Sequence, residues 1–225
     1  MACVPEIDLF YDGAEISQYY DRVKGFTTNS SILRSHGVSD LLAYAREAVQ
    51  AARCKPISFQ LPSLEDVEAA VSLARALGSL GDNVYVKVPV VNERGELTTE
   101  LLRAVQAAGT KLNVTAVFTA RHVDAIREFS ETSGAPAIVS IFAGKISDTG
   151  RDPREVLSYA RRKLPDSKIL WAGCRSVYDY CTAARSGADI VTVPVAVLER
   201  MRCLDVPLEE LAAQTVNQFL VDGSM

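Results

Sequence analysis

Asn83-Val84-Tyr85-Val86-Lys87-Val88-Pro89-Val90 is a short run rich in β-branched residues, ended by a proline and carrying one lysine near its C-terminal end. Period-2 alternation puts Tyr85, Lys87 and Pro89 on one face of a strand and Val84, Val86 and Val88 on the other. An ammonium set between valines costs desolvation energy, so its pKa should fall and leave some free amine near neutral pH. Such an amine can attack a carbonyl and form a Schiff base. The competing reading is a lysine that snorkels from the strand end to water.

Short apolar runs alternate with amphipathic helical stretches on both sides of this strand. Before it, the pattern predicts strands over residues 7–11, 23–27 and 57–61. Between them come a short helix over 15–22, a helix over 41–52 capped by Asp40, and one over 64–77 capped by Ser63. After it, Thr98 is read as the cap of a helix that Gly109 ends. Further strands follow over 112–117, 137–142, 168–172 and 189–193, with helices over 120–132, 153–163, 177–185 and 196–201. Eight strands, each followed by a helix, predict a single-domain (β/α)8 barrel over about 6–201, with an extra C-terminal helix over about 207–221. The runner-up is a doubly wound open sheet, which no Gly-rich phosphate fingerprint supports.

Composition agrees with one such domain. At 225 residues the chain can bury roughly 70% of its unfolded surface, so it needs no disulfide staples. Its 48% hydrophobic and 23% charged residues are ordinary for a soluble globular protein. A net charge of -4 speaks against nucleic acid and anionic membranes as partners. Cys3, Cys54, Cys174, Cys181 and Cys203 show no paired metal-ligand spacing, which points to reduced thiols in a cytoplasm. The only histidines, His36 and His122, stand alone, so neither a histidine metal site nor a His-based triad is expected. No apolar run reaches the ~20 residues of a membrane span, and the N-terminal residues show no signal-peptide pattern.

In such barrels chemistry sits at the C-terminal ends of the strands. Here those ends carry polar side chains two residues apart, hence on one face: Thr27 with Asn29, Asn113 with Thr115, Ser140 with Phe142. With Asp12, Gln60 and Lys87 they can converge on one pocket. One amine, one carboxylate and several neutral hydrogen-bonders suit Schiff-base carbonyl chemistry with a single acid/base. Taken singly, Asp12 reads as well as a turn former and Thr115 as an ordinary strand residue.

At these residues the chain resembles the small-subunit branch of the transaldolase family, which also contains the fructose 6-phosphate aldolases. The matching stretches are Leu9-Phe10-Tyr11-Asp12, Gly25-Phe26-Thr27-Thr28-Asn29, the run from Asn83 to Val90, Lys111-Leu112-Asn113-Val114-Thr115, Phe142-Ala143-Gly144-Lys145-Ile146, and the run from Gly187 to Pro194. They follow the family's order over nearly the whole chain.

The resemblance implies that Lys87 forms the Schiff base with a sugar-phosphate ketone and that Asp12 moves the proton at the bond being cleaved. It further implies that Asn29 and Asn113 hold the hydroxyls of a dihydroxyacetone unit, and that Gln60 and Thr115, with Asp12, position a relay water. Gln60 is similar to the aldolase branch, where ordinary transaldolases carry glutamate; Phe142 and Ser140 are similar to the transaldolases. At the implied phosphate site the family's arginine is replaced by Lys145, and its serine-x-arginine by Gly173-Cys174-Arg175. Arg175 keeps a bidentate fork, whereas Lys145 offers a point charge. No cofactor is implied, since the lysine is itself the electron sink. The partners implied are phosphorylated sugars and further copies of the chain, assembled through the C-terminal helix as a ring, often a decamer.

Overall fold

The structure, a computed structural model, describes residues 6–224. Eight parallel strands close into one barrel in sequence order: β1 (Asp8–Asp12), β2 (Gly25–Thr27), β3 (Ile57–Gln60), β4 (Val84–Pro89), β5 (Leu112–Val117), β6 (Ile138–Ile141), β7 (Lys168–Trp171) and β8 (Ile190–Val193). The helices are α1 (Ile16–Tyr19), α2 (Ser30–Ser35), α3 (Leu41–Ala52), α4 (Val67–Gly78), α5 (Thr99–Ala107), α6 (Ala120–Ser133), α7 (Ala143–Ser147), α8 (Arg154–Lys163), α9 (Val177–Arg185), α10 (Val195–Arg200) and α11 (Leu208–Asp222). This is the (β/α)8 barrel predicted from the alternation of patterns.

The two faces of β4 separate as its sequence demands. Val84, Val86 and Val88 are buried in the large apolar shell between barrel and helices. Tyr85 and Lys87 lie on the inner face, where Tyr85 packs with Phe10, Ile138, Leu170 and Ile190 in the barrel's lower core. Parallel strands buried on both faces lose the polar side that an antiparallel strand keeps, so an inward polar residue stands out against apolar neighbours.

Four local expectations are corrected. The helix over 15–22 is α1 followed by a 3-10 turn, Tyr20–Arg22, and Glu15 at its start makes no side-chain cap. Ser63 does not cap α4: Asp66 does, its carboxylate accepting from Ala69 N at 3.0 Å, which moves the helix start to Val67. Thr98 precedes α5 but its hydroxyl donates to the Pro89 carbonyl at 2.5 Å, tying the helix start to the end of β4. Two short helices, α2 and α7, stand where the sequence pattern assigns no element, and both border the open end of the barrel. Asp40 does cap α3, and Gly109, with φ 80, follows the end of α5.

α11 stands apart from the rest. None of its residues is buried, and Leu208 and Phe219 are 76% and 66% exposed. Cys54, Cys174, Cys181 and Cys203 are free thiols; Cys3 lies outside the described residues. Among the described residues no helix is long and apolar enough to cross a membrane.

Candidate active site

A cavity of about 430 Å³ opens at the C-terminal end of the barrel. The strands bring Asp12, Thr27, Gln60, Lys87, Thr115 and Ser140 to it, and the segments beyond them add Asn29, Phe142, Lys145 and Arg175. Strand register explains the convergence. Asp12 pairs with Thr27, Gln60 with Lys87, and Pro89 with Thr115, so lining residues of neighbouring strands lie side by side at the same height.

Lys87 is 6% exposed. Its amine donates to the Thr28 carbonyl at 2.9 Å, a neutral main-chain acceptor. Burial pushes its pKa below the ordinary lysine value, and the negative charge of Asp12 opposes that shift. Asp12 is held through one oxygen: Thr27 Oγ1 donates to Asp12 Oδ1 at 2.7 Å. Thr115 is buried with a hydroxyl that has no hydrogen-bond partner among the described residues, so a group entering the cavity can satisfy it.

Of the expected site residues, Asn113 alone does not line the cavity. It is 0% exposed and lies under the floor. Its amide nitrogen donates to Ser58 Oγ at 3.1 Å and its oxygen accepts from Ser140 Oγ at 2.7 Å, a brace from β3 through β5 to β6. Asn29 has a structural task as well: Oδ1 accepts from Ile32 N at 3.0 Å and caps α2. What remains for a ligand is its amide nitrogen, a donor.

At the rim, Arg175 is fastened at both ends. Its Nη2 meets Asp148 Oδ2 at 2.5 Å, and its main-chain N–H donates to Asp179 Oδ2 at 2.8 Å. Gly173 precedes it with φ 75, a left-handed backbone that favours glycine. Gly144 faces it so closely that a Cβ there would lie 1.9 Å from the Gly173 oxygen. These two glycines let α7 and the end of β7 touch, which sets Lys145 beside Arg175 at the cavity mouth.

Thr192, Ser30, Ser31 and Ala116 also line the cavity and were not singled out from the sequence. Thr192 had a signal: it is the one polar residue in an apolar strand. Ala116 had none, because its φ of 58 comes from a bulge in β5 that the sequence does not announce. Phe118, just past that bulge, packs its ring on Phe142 with centroids 5.4 Å apart. Among the described residues no three His, Cys, Asp or Glu side chains gather to hold a metal ion.

A (β/α)8 barrel with a desolvated amine and one carboxylate lining the cavity at the C-terminal strand ends has its ionisable groups where barrel enzymes carry their active sites. The sequence profile described as Transaldolase/Fructose-6-phosphate aldolase matches residues 9–222. The chain belongs to that family, and its enzymes are of the transaldolase and aldolase kind. A probable transaldolase of Caldicellulosiruptor saccharolyticus is 34% identical over 206 residues, covering 86% of this chain and 88% of the relative. A probable transaldolase of Carboxydothermus hydrogenoformans is 32% identical over 207 residues, covering 87% and 90%. Among solved structures, 3-hexulose-6-phosphate synthase from Salmonella typhimurium superposes with a TM-score of 0.63 at 16% identity, covering 86% of this chain and 91% of that one. A variant tryptophan synthase alpha-subunit from Pyrococcus furiosus superposes at 0.62 and 13% identity, covering 88% and 91%. At such identities these structures share the fold.

Proposed function

We propose that this chain is a Schiff-base transaldolase that moves a dihydroxyacetone unit from a ketose phosphate to an aldose or aldose phosphate. The observation that carries the reading is the state of Lys87: buried, lowered in pKa, and bonded only to a neutral carbonyl. Its free amine attacks the ketose carbonyl, and loss of water leaves a cationic imine. Asp12 takes the proton from the hydroxyl on the carbon beyond the bond to be broken. That bond cleaves, the aldehyde leaves, and its electron pair passes into the imine to give an enamine. The enamine adds to the acceptor aldehyde, whose oxygen recovers the proton from Asp12. Water then hydrolyses the new imine and restores the amine.

The other residues fit roles in this cycle. Asn29 and Ser140 reach the hydroxyls of the bound three-carbon unit, and Asn113 braces the floor beneath them. Gln60 and Thr115, with Asp12, hold the water that carries protons. Lys145 and Arg175 receive the phosphate at the mouth. A neutral Gln60 in the cavity favours a second reading, a lyase that releases free dihydroxyacetone. The aromatic Phe142 beside Ser140 favours transfer, because an apolar wall shelters the enamine from water. The exposed apolar residues of α11 support assembly with further copies, in a ring of the decameric kind.

Borohydride trapping with fructose 6-phosphate, read by intact mass and peptide mapping, tests the reading. The expected result is a reduced three-carbon adduct on Lys87 that accumulates without acceptor. Rapid release of free dihydroxyacetone moves the assignment to the lyase. No adduct with any ketose of a panel sinks the catalytic reading.

A further inference from the structure

Thr192 lies on β8 with its hydroxyl 2.6 Å from Thr27 Oγ1, and Thr27 in turn donates to Asp12 Oδ1 at 2.7 Å. Both threonines are buried. β8 and β2 flank β1 in the barrel, so the two hydroxyls meet across the strand that carries Asp12.

Counting protons fixes the direction of this chain. An ionised carboxylate only accepts, and each hydroxyl has one proton to give. The Thr27 proton goes to Asp12, so the 2.6 Å contact must carry the Thr192 proton toward Thr27. Two hydroxyls therefore point the same way and end on Oδ1, each polarising the next. Asp12 lines the cavity, and among the described residues its Oδ2 has no hydrogen-bond partner, so Oδ2 is the oxygen left for a ligand. When Oδ2 takes a proton, Oδ1 still accepts from Thr27, so the chain does not have to reverse between half-reactions. Groups that need no reorientation during the reaction are the ones that lower its barrier.

We infer that Thr192 is a positioning residue: through Thr27 it holds Asp12 Oδ1 and aims Oδ2 at the substrate hydroxyl. The inference rests on Asp12 being the proton acceptor of the proposed cycle. Its action is on the proton-transfer step, not on ketose binding.

The test compares Thr192→Val, which keeps the shape and removes the hydroxyl, with Thr192→Ser, which keeps the hydroxyl. Turnover of fructose 6-phosphate with erythrose 4-phosphate as acceptor is measured beside borohydride trapping on Lys87. Losing a hydrogen bond that feeds a charged acceptor predicts a fall in kcat of at least about tenfold in Thr192→Val, with KM within about threefold of wild type. Thr192→Ser should stay within about threefold in both. Wild-type turnover in Thr192→Val overturns the inference, and so does a serine variant as slow as the valine one, which assigns the effect to packing. A wild-type enzyme that traps no adduct removes the Schiff-base reading and this inference with it; trapping with an indifferent Thr192→Val removes the inference alone.

Discussion

Lys87 is a buried amine kept at a cost in stability. Its pKa is lower in the folded chain than in the unfolded one, so over the interval between the two values the unfolded chain binds the extra proton. The stability at stake is full above the ordinary lysine value of 10.5 and is lost as pH falls through the folded value. Lys87→Met should therefore be inactive and more heat-stable, with a Tm advantage that widens as pH falls below 10.5 toward the folded value. Each kcal/mol recovered is worth about 2–4 °C in a chain of this size, and calorimetry at several pH values reads it. A Tm equal to wild type at neutral pH would refute the account. The position of Lys87 was legible because alternation names a face. Depth was not. Asn113 and Thr115 share that face, yet only Thr115 reaches the cavity, because the tilt of barrel strands decides which inner layer forms the mouth.

Among the elements, the bulge of β5 is where local structure and site geometry meet. Ala116 holds a left-handed backbone there. His122, in the first turn of α6, accepts from Phe118 N at Nδ1, 3.2 Å away. Burial, and then the Arg121 charge, lower the His122 pKa against a main-chain hydrogen bond with Ala116, which keeps the ring neutral and able to accept. His122→Leu leaves the Phe118 N–H without that partner and should cost about 1–3 kcal/mol, visible as a lower Tm. His122→Asn, which offers an oxygen near the Nδ1 position, should recover most of it. The two glycines at the rim make a second prediction. Gly144→Ala forces its Cβ against the Gly173 carbonyl and must shift the segment bearing Arg175. KM for fructose 6-phosphate should rise about tenfold or more while KM for unphosphorylated fructose stays put. The long elements could be read from periodicity, whereas α2 and α7 could not. Six and five residues do not complete an amphipathic pattern. The ends of α2 were nevertheless signalled, by Asn29 as cap and Gly37 with φ 73 as stop.

For the whole molecule, the division is between a barrel with a dense core and a helix with none. Nothing in the barrel's architecture requires α11, whose Leu208, Val216, Phe219, Leu220 and Val221 face away from it. A chain ending at Asp205 should therefore fold with nearly the Tm of the barrel, and the proposed assembly through α11 predicts that its mass by light scattering falls. An unchanged mass would remove α11 from the assembly interface. A large drop in Tm with unchanged mass would instead mean that the helix supports its own barrel.

The composition of α11 has a colloidal consequence. Glu209, Glu210 and Asp222 are its only charged residues, and Ser224 and Met225 beyond it add no side-chain charge. Three of the four units of net negative charge thus sit on this one helix, and the remaining chain is close to electrical balance. Molecules near balance lose the mutual repulsion that keeps them dispersed. The shortened chain will salt out more readily near neutral pH, and it will be retained less by an anion exchanger than its small loss of mass suggests.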